Sequence, residues 1–236
     1  TLGFLVSDNR GNSESNSLNR IGISRQNTPA QIDSLLVAKT IGDNTNRQNT
    51  YNLNYRFDNA KGRSLNIDLD YGDYRNTSMR LQPNQYFNAG EDVLLTEIVN
   101  SFDTPTDIKI YTAKADYEDE ILGGKLGFGA KYSKVVSDNT FLFFDVANGL
   151  SLRNDRLSNR FEYNENVYAG YVNFSRSLGE KWKFSAGLRA EQTDAMGNLQ
   201  AFLPELQAPP VELNYLSWFP SAGLTWQIAQ MHSLAL

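Results

Sequence analysis

A strict two-residue alternation of apolar and polar side chains is the feature of this 236-residue sequence that most narrows its fold. It is clearest between Lys181 and Thr193. Trp182, Phe184, Ala186, Leu188 and Ala190 fall on one face, and Lys181, Lys183, Ser185, Gly187, Arg189, Glu191 and Thr193 on the other. Successive side chains of a strand point to opposite sides, so this ribbon has one apolar and one polar face. A short link, Ser177 to Glu180, joins it to the strand before, and Tyr163 to Asp194 reads as one β-hairpin. The period recurs at Tyr51–Phe57, Leu65–Tyr71, Tyr111–Tyr117, Leu126–Tyr132 and Ala222–Ile228. The expected class is all-β. The open question is what covers the apolar faces, a second layer of protein or lipid.

Composition removes several alternatives. Apolar residues make up 40% of the chain, and no run approaches the roughly 20 apolar residues that a membrane-spanning helix needs. A β-barrel stays open, because lipid-facing and lumen-facing residues alternate and the average looks soluble. A net charge of -5 gives no footprint for nucleic acid. With no cysteine there are neither disulfides nor thiolate metal sites. Thr1 is not an initiator methionine, and His232 to Leu236 end inside a strand-like run, so the chain reads as part of something longer.

Taken in order, Leu2–Val6 is a short strand candidate, and Ser7–Asn19, rich in Asn, Ser and Gly, is expected to be a loop. Ile21–Ser24 and Ile32–Thr40 are strand candidates without an evident partner, and Gly42–Asn49 reads as a strand end standing in water. From Tyr51 onward, connections alternate in length. The short ones are Asp58–Gly62, Glu118–Gly124, Ser177–Glu180 and Ala229–His232; the long ones cover about 75–104, 137–160 and 195–212. An up-and-down antiparallel sheet then has all its short turns at one end and all its long loops at the other. That asymmetry marks outer-membrane barrels, whereas a soluble sandwich mixes loop lengths.

Aromatics point the same way. Phe57, Tyr117, Trp182 and Trp226 stand near the short turns, and Tyr71, Tyr132, Tyr163 and Trp218 towards the long loops. Two such belts fit two membrane–water interfaces, although strands are aromatic-rich in any case. The polar face mixes Asn, Ser, Gly and Thr with Asp68, Asp70, Lys114, Asp116, Lys131, Arg189 and Glu191, a blend suited to an enclosed wet space. The expected fold is therefore an antiparallel up-and-down transmembrane β-barrel, of which this chain supplies roughly 10–12 strands.

The segments ENVYAGYVNFSRSLGEKWKFSAGLRAEQTD (165–194) and YLSWFPSAGLTW (215–226) resemble the barrel region of TonB-dependent outer-membrane receptors of the Bacteroidetes type. Glu165, Ala169 and Tyr171 match one strand, Gly187, Leu188, Arg189 and Glu191 the next, and Phe219, Pro220 and Ser221 the start of a third. The resemblance covers the last third well. It implies a large plugged barrel that imports a scarce nutrient (siderophore, glycan, peptide or similar) with energy relayed by TonB. Its implied partners are outer-membrane lipid, the remaining strands, an N-terminal plug, TonB indirectly and a surface lipoprotein. No plug and no TonB-contacting segment are evident here, so residues 1–236 are expected to be one segment of a single barrel domain. The competing readings are a barrel without TonB (a porin, assembly or adhesion protein) and a soluble β-sandwich.

No catalytic or cofactor-binding constellation stands out. His232, the only histidine, sits in a turn, so a Ser-His-Asp triad or a histidine metal site is not expected. GGKLGFG (123–129) lacks the ending of a phosphate loop; Gly127 and Gly129 are expected to let backbone or plug approach. Asp68 and Asp70 read as lumenal charges near Lys114 rather than a carboxylate pair. Tyr86, Phe87, Phe141, Phe143, Phe144 and Phe202 are either stacking surfaces for a sugar or aryl ligand, or extensions of strands above the membrane. The ligand candidates are the seven charged lumenal residues named above.

Overall fold

The computed structural model describes residues 1–25, 31–59, 62–229 and 232–235. Eleven strands form one antiparallel sheet: β1 (Leu2–Ile23), β2 (Ser34–Asp58), β3 (Ser64–Asn88), β4 (Leu94–Asp103), β5 (Thr106–Ile121), β6 (Gly124–Ala147), β7 (Leu150–Arg153), β8 (Asn159–Leu178), β9 (Trp182–Ala201), β10 (Val211–Ala229) and β11 (His232–Ala235). Apart from β4/β5 and β7/β8, each strand lies beside its sequence neighbours, so the topology is up-and-down. Two pairs are single staves with a break. β4 and β5 both pair with β3, one above the other, and β7 and β8 both pair with β6. Pro105, which has no N–H to give the ladder, marks the first break. At the second, the Ser158 hydroxyl takes the place of a ladder partner and accepts from the Phe143 N–H at 2.9 Å. The sheet thus has nine staves.

The strands are longer than their alternation suggested. Ser7–Asn19, expected to be a loop, lies within β1 and pairs residue for residue with Ala38–Thr50 of β2. The long segments 75–104 and 137–160 are mostly strand as well, from β3, β4, β6, β7 and β8, whereas 195–212 keeps a nine-residue connection, 202–210, between β9 and β10. The asymmetry between the two ends is real, but it lies in strand overhang more than in loop length. A membrane crossing takes about 9–11 residues, whereas β3 runs on from Gly72 to Asn88 beyond Tyr71, where its unbroken apolar alternation ends. The polar pattern there arises because both faces meet water. At the other end turns are tight: Leu122 and Gly123 both adopt positive φ, 58° and 69°, as a two-residue hairpin turn requires. The turns at 58–62 and 229–232 contain residues 60–61 and 230–231, which lie outside the described residues.

There is no protein core of the soluble kind. Among the described residues only Ala169 and Ala195 are buried hydrophobics, at 7% and 8% exposure. Phe128, Leu188 and Leu224 are 50%, 42% and 36% exposed, so no second layer covers them. The apolar parity forms a continuous outward band. On β3 it runs from Leu65 to Tyr71, centred level with Asp68; on β9 it runs from Trp182 to Ala190, centred on Ala186. Through the register, Asp68 is level with Lys114, Lys131, Ala169 and Glu191. The band therefore descends five residues, from Glu191 to Ala186, over four strand steps. With strand rise and spacing this is a slope of about 40°, the tilt of strands in a membrane barrel.

Aromatic rings edge the band. Trp182 stacks on Trp226 at 5.4 Å and 7° on the turn side. On the other side Tyr51, Tyr71 and Tyr111 form a row with centroids 5.9 and 5.0 Å apart, continued by Tyr132 and Tyr168 at 5.1 Å. Tyr163 does not belong to this belt. It pairs with Ser137 on the polar parity, and its hydroxyl donates to Glu165 at 2.6 Å. That bond, which stabilises the protonated phenol, pushes its pKa up to about 12.

Candidate functional site

The seven charged residues singled out in the sequence share the polar face of β3, β5, β6 and β9. Asp68, Lys114 and Lys131 are directly level, and Glu191 follows on the same line beyond Ala169. Asp116 and Arg189 lie one polar-face position closer to the turns, with Gly129 and Tyr171 between them. Asp70 lies one position towards the loops, opposite Thr112.

Their partners divide them into three groups. On the β2 side the carboxylates are held by amides: Asn54 and Asn66 donate to Asp68 at 2.5 and 2.7 Å, and Asn52 donates to Asp70 at 2.7 Å. In the middle, Lys114 Nζ lies 2.6 Å from Asp116 Oδ2, and the Tyr171 hydroxyl also donates to Asp116. On the β9 side Arg189 pairs with Glu191, its guanidinium 5.3 Å from the centroid of the Tyr171 ring. Lys131 has no acidic partner among the described residues, although Lys114 stands opposite it. Like charges face to face are unfavourable, and the carboxylates of Asp68 and Asp116 near Lys114 offset that cost.

Tyr171 is the residue that sequence reasoning missed. It links the lysine–aspartate pair to the arginine–glutamate pair, with its hydroxyl on one and its ring under the other. The signal was present in two places: Tyr171 belongs to the Glu165–Ala169–Tyr171 pattern, and Gly129 lies opposite it. A Cβ at Gly129 would come within 2.6 Å of the Tyr171 ring and 2.7 Å of the Ala115 carbonyl oxygen; at Gly127 it would meet the Asn173 side chain at 2.6 Å. Gly127 thus makes room for the Asn173 side chain, and Gly129 for the Tyr171 ring and for the close approach of the β5 backbone at Ala115.

Higher on the strands, Arg160 donates to Asp138 at 2.8 and 2.5 Å and lies 3.1 Å from Glu162. The guanidinium holds the Asp138 carboxyl below the usual carboxylate range. Tyr86 and Phe87 are in β3, and Phe141, Phe143 and Phe144 in β6, so these aromatics are strand extensions. Phe102 packs near Phe141 and Phe143, at 6.0 and 6.4 Å. Phe202 lies past the end of β9, with the Arg153 guanidinium 4.5 Å over its ring. No group of three potential metal ligands occurs among the described residues. What this face offers is a wall of paired charges and amides suited to holding a polar solute.

The outer membrane protein beta-barrel family model matches residues 55–236. No curated protein matches the chain. Among solved structures it is similar to the ferric citrate transporter FecA (12% identity, TM-score 0.45, 99% of this chain and 42% of that one). It is also similar to the siderophore receptor PiuA from Acinetobacter baumannii (12%, 0.46, 98% and 46%) and to the ferric yersiniabactin uptake receptor FyuA from Yersinia pestis (7%, 0.47, 99% and 45%). The chain spans less than half the length of each of these structures. An open greasy face, a tilted band edged by aromatics and a family match over most of its length lead to one assignment: the chain belongs to the outer membrane protein beta-barrel family and resides in the bacterial outer membrane.

Proposed function

We propose that this chain is one segment of a wide, plugged outer-membrane barrel that takes up a nutrient ligand with energy supplied through TonB. The observation that carries the reading is strand overhang. β1, β2, β3 and β6 have 22, 25, 25 and 24 residues, against about 9–11 needed to cross lipid. Some 17 residues of β3 stand beyond Tyr71, roughly 55 Å of strand, and they wall a deep vestibule on the loop side. A capture chamber needs that depth; a passive hole through the bilayer does not.

The width of the sheet supports the same reading. Eight strands suffice to close a small barrel with a filled interior. Here nine staves are present, yet β1 and β11 do not pair with each other among the described residues. The sheet has the run of a wider cylinder, whose lumen has space for a plug. The receptor-like strands at 165–194 and 215–226 favour a TonB-dependent receptor over a porin, and the polar wall favours ligand binding over catalysis.

Uptake in intact cells tests this. Cells that depend on the full-length protein for a nutrient should lose uptake when TonB is removed. Undiminished uptake would make the barrel a passive pore.

A further inference from the structure

We infer that the polar face of β1, β2 and β3, above the hydrocarbon band, is a binding wall for a neutral polyhydroxylated solute, a saccharide. This deepens the receptor reading above and rests on it. Four successive polar-face levels cross the three strands: Ser7, Thr50 and Gly72; Asn9, Gln48 and Tyr74; Gly11, Asn46 and Asn76; Ser13, Asn44 and Ser78. None of these twelve residues is charged. On the opposite face of the same stretch the levels in between hold Asp8 with Asp73, and then Arg10, Arg47 and Arg75 side by side. Over these four levels charge is thus confined to one side of the three strands. Solubility alone does not require that segregation.

The wall contains a recess of about 290 Å³, lined by Asn9, Asn46, Gln48, Tyr74 and Asn76 together with Thr106 and Ile108 of β5. Arg47 and Arg75 also border it, but both are of the opposite parity, and the Arg75 guanidinium pairs with Asp73 and Asp107 on that opposite face. The hydrogen-bonding capacity of the recess is unused. Asn76 Oδ1 is buried without a partner, and a buried polar atom in that state calls for an explanation. Asn9, Asn46 and Gln48 also have no side-chain hydrogen bond among the described residues. Contrast the lower wall, where Asn52, Asn54 and Asn66 are committed to Asp68 and Asp70. Tyr74 supplies a flat surface in the recess. Its ring lies against Gly72, where a Cβ would come within 2.6 Å of it.

This chemistry selects the ligand. A side-chain amide carries donors and an acceptor, and a hydroxyl carries both, which matches the hydroxyls of a sugar. An aromatic face suits the C–H face of a sugar ring. An anionic iron chelate needs cations, and burying its charge against neutral amides is unfavourable.

The test uses the full-length protein, purified in detergent and immobilised. It is offered a pool of neutral oligosaccharides from hydrolysed plant and host glycans and, separately, ferric citrate; retained solutes are identified by mass spectrometry. Oligosaccharide should be retained, and the Asn46→Ala/Asn76→Ala variant should retain it about tenfold more weakly, the loss expected for one or two hydrogen bonds. Gln48→Ala provides a second variant should the double one fail to fold, and Arg10→Gln, on the charged face and outside the recess, should match the parent. If no oligosaccharide is retained, or if retention ignores the amide substitutions, the inference is wrong. Retention of ferric citrate alone overturns it while leaving the receptor reading standing. A lower melting temperature of the ligand-free Asn76→Ala protein with unchanged retention also overturns it, because the amides then serve the protein's own packing.

Discussion

β9 and β1 have nearly the same length, 20 and 22 residues, and both are laddered antiparallel along their whole length, yet they announce themselves very differently. β9 crosses the apolar band and alternates without error from Trp182 to Ala190. β1 alternates only from Leu2 to Val6 and then becomes Asn, Ser and Gly. The difference is the medium on the outward face. Lipid demands an apolar side chain at every second position, whereas water on both sides demands nothing except that the ladder be made. The lesson is that period-2 patterning reports where a strand meets lipid, not where the strand ends.

The largest expected effect tests which face of β9 meets lipid. Leu188→Arg places a cation against hydrocarbon and should cost about 2–4 kcal/mol, seen as failure to assemble in a membrane-insertion assay. Arg189→Leu on the polar face should assemble far better, losing only the Glu191 and Tyr171 contacts. Equal tolerance of the two changes would erase the distinction between faces.

A smaller effect is expected on the polar face itself. In Gly129→Ala the added methyl meets the Ala115 carbonyl as well as the Tyr171 ring. Overpacking of this kind costs roughly 1–3 kcal/mol, readable as a lower unfolding temperature in detergent. A Gly129→Ala/Tyr171→Phe pair should recover little, since the backbone contact persists; full recovery would place the whole conflict at the phenol.

The smallest effect belongs to the water-flanked region. The depressed carboxyl of Asp138 contributes stability above its ordinary pKa near 3.9 and loses that contribution as pH falls through the lowered folded value. Both side chains are more than a third exposed, so the pair contributes less than about 1 kcal/mol. Protease nicking of the upper β6–β8 ladder should therefore differ modestly between parent and Arg160→Gln at pH 7, and the difference should shrink as pH falls below the ordinary carboxylate range. A large difference at pH 7 would mean that this region is organised more like the membrane band than the comparison holds.

Legibility of the candidate wall followed the same line. Asp68, Lys114, Lys131 and Glu191 could be placed on one face because each lies in a segment whose other face is apolar. Tyr171 was on the page as part of a pattern, but its role as the link between Asp116 and Arg189 needed the β6–β8 register. The amides of Asn9, Asn46, Gln48 and Asn76 gave no signal, because their segments are polar on both faces: Asn9 and Asn76 fell in expected connections, and Asn46 and Gln48 in an expected strand end standing in water.

The sequence by itself determined the strand class, the two faces and the greasy girdle, since these depend on side-chain polarity repeating at the pitch of an extended chain. The tertiary structure alone decided the reach of the strands beyond lipid, the two broken staves and the partners across the polar face. Those follow from which backbone lies beside which, and a strand flanked by water on both sides writes no such choice into its residue pattern.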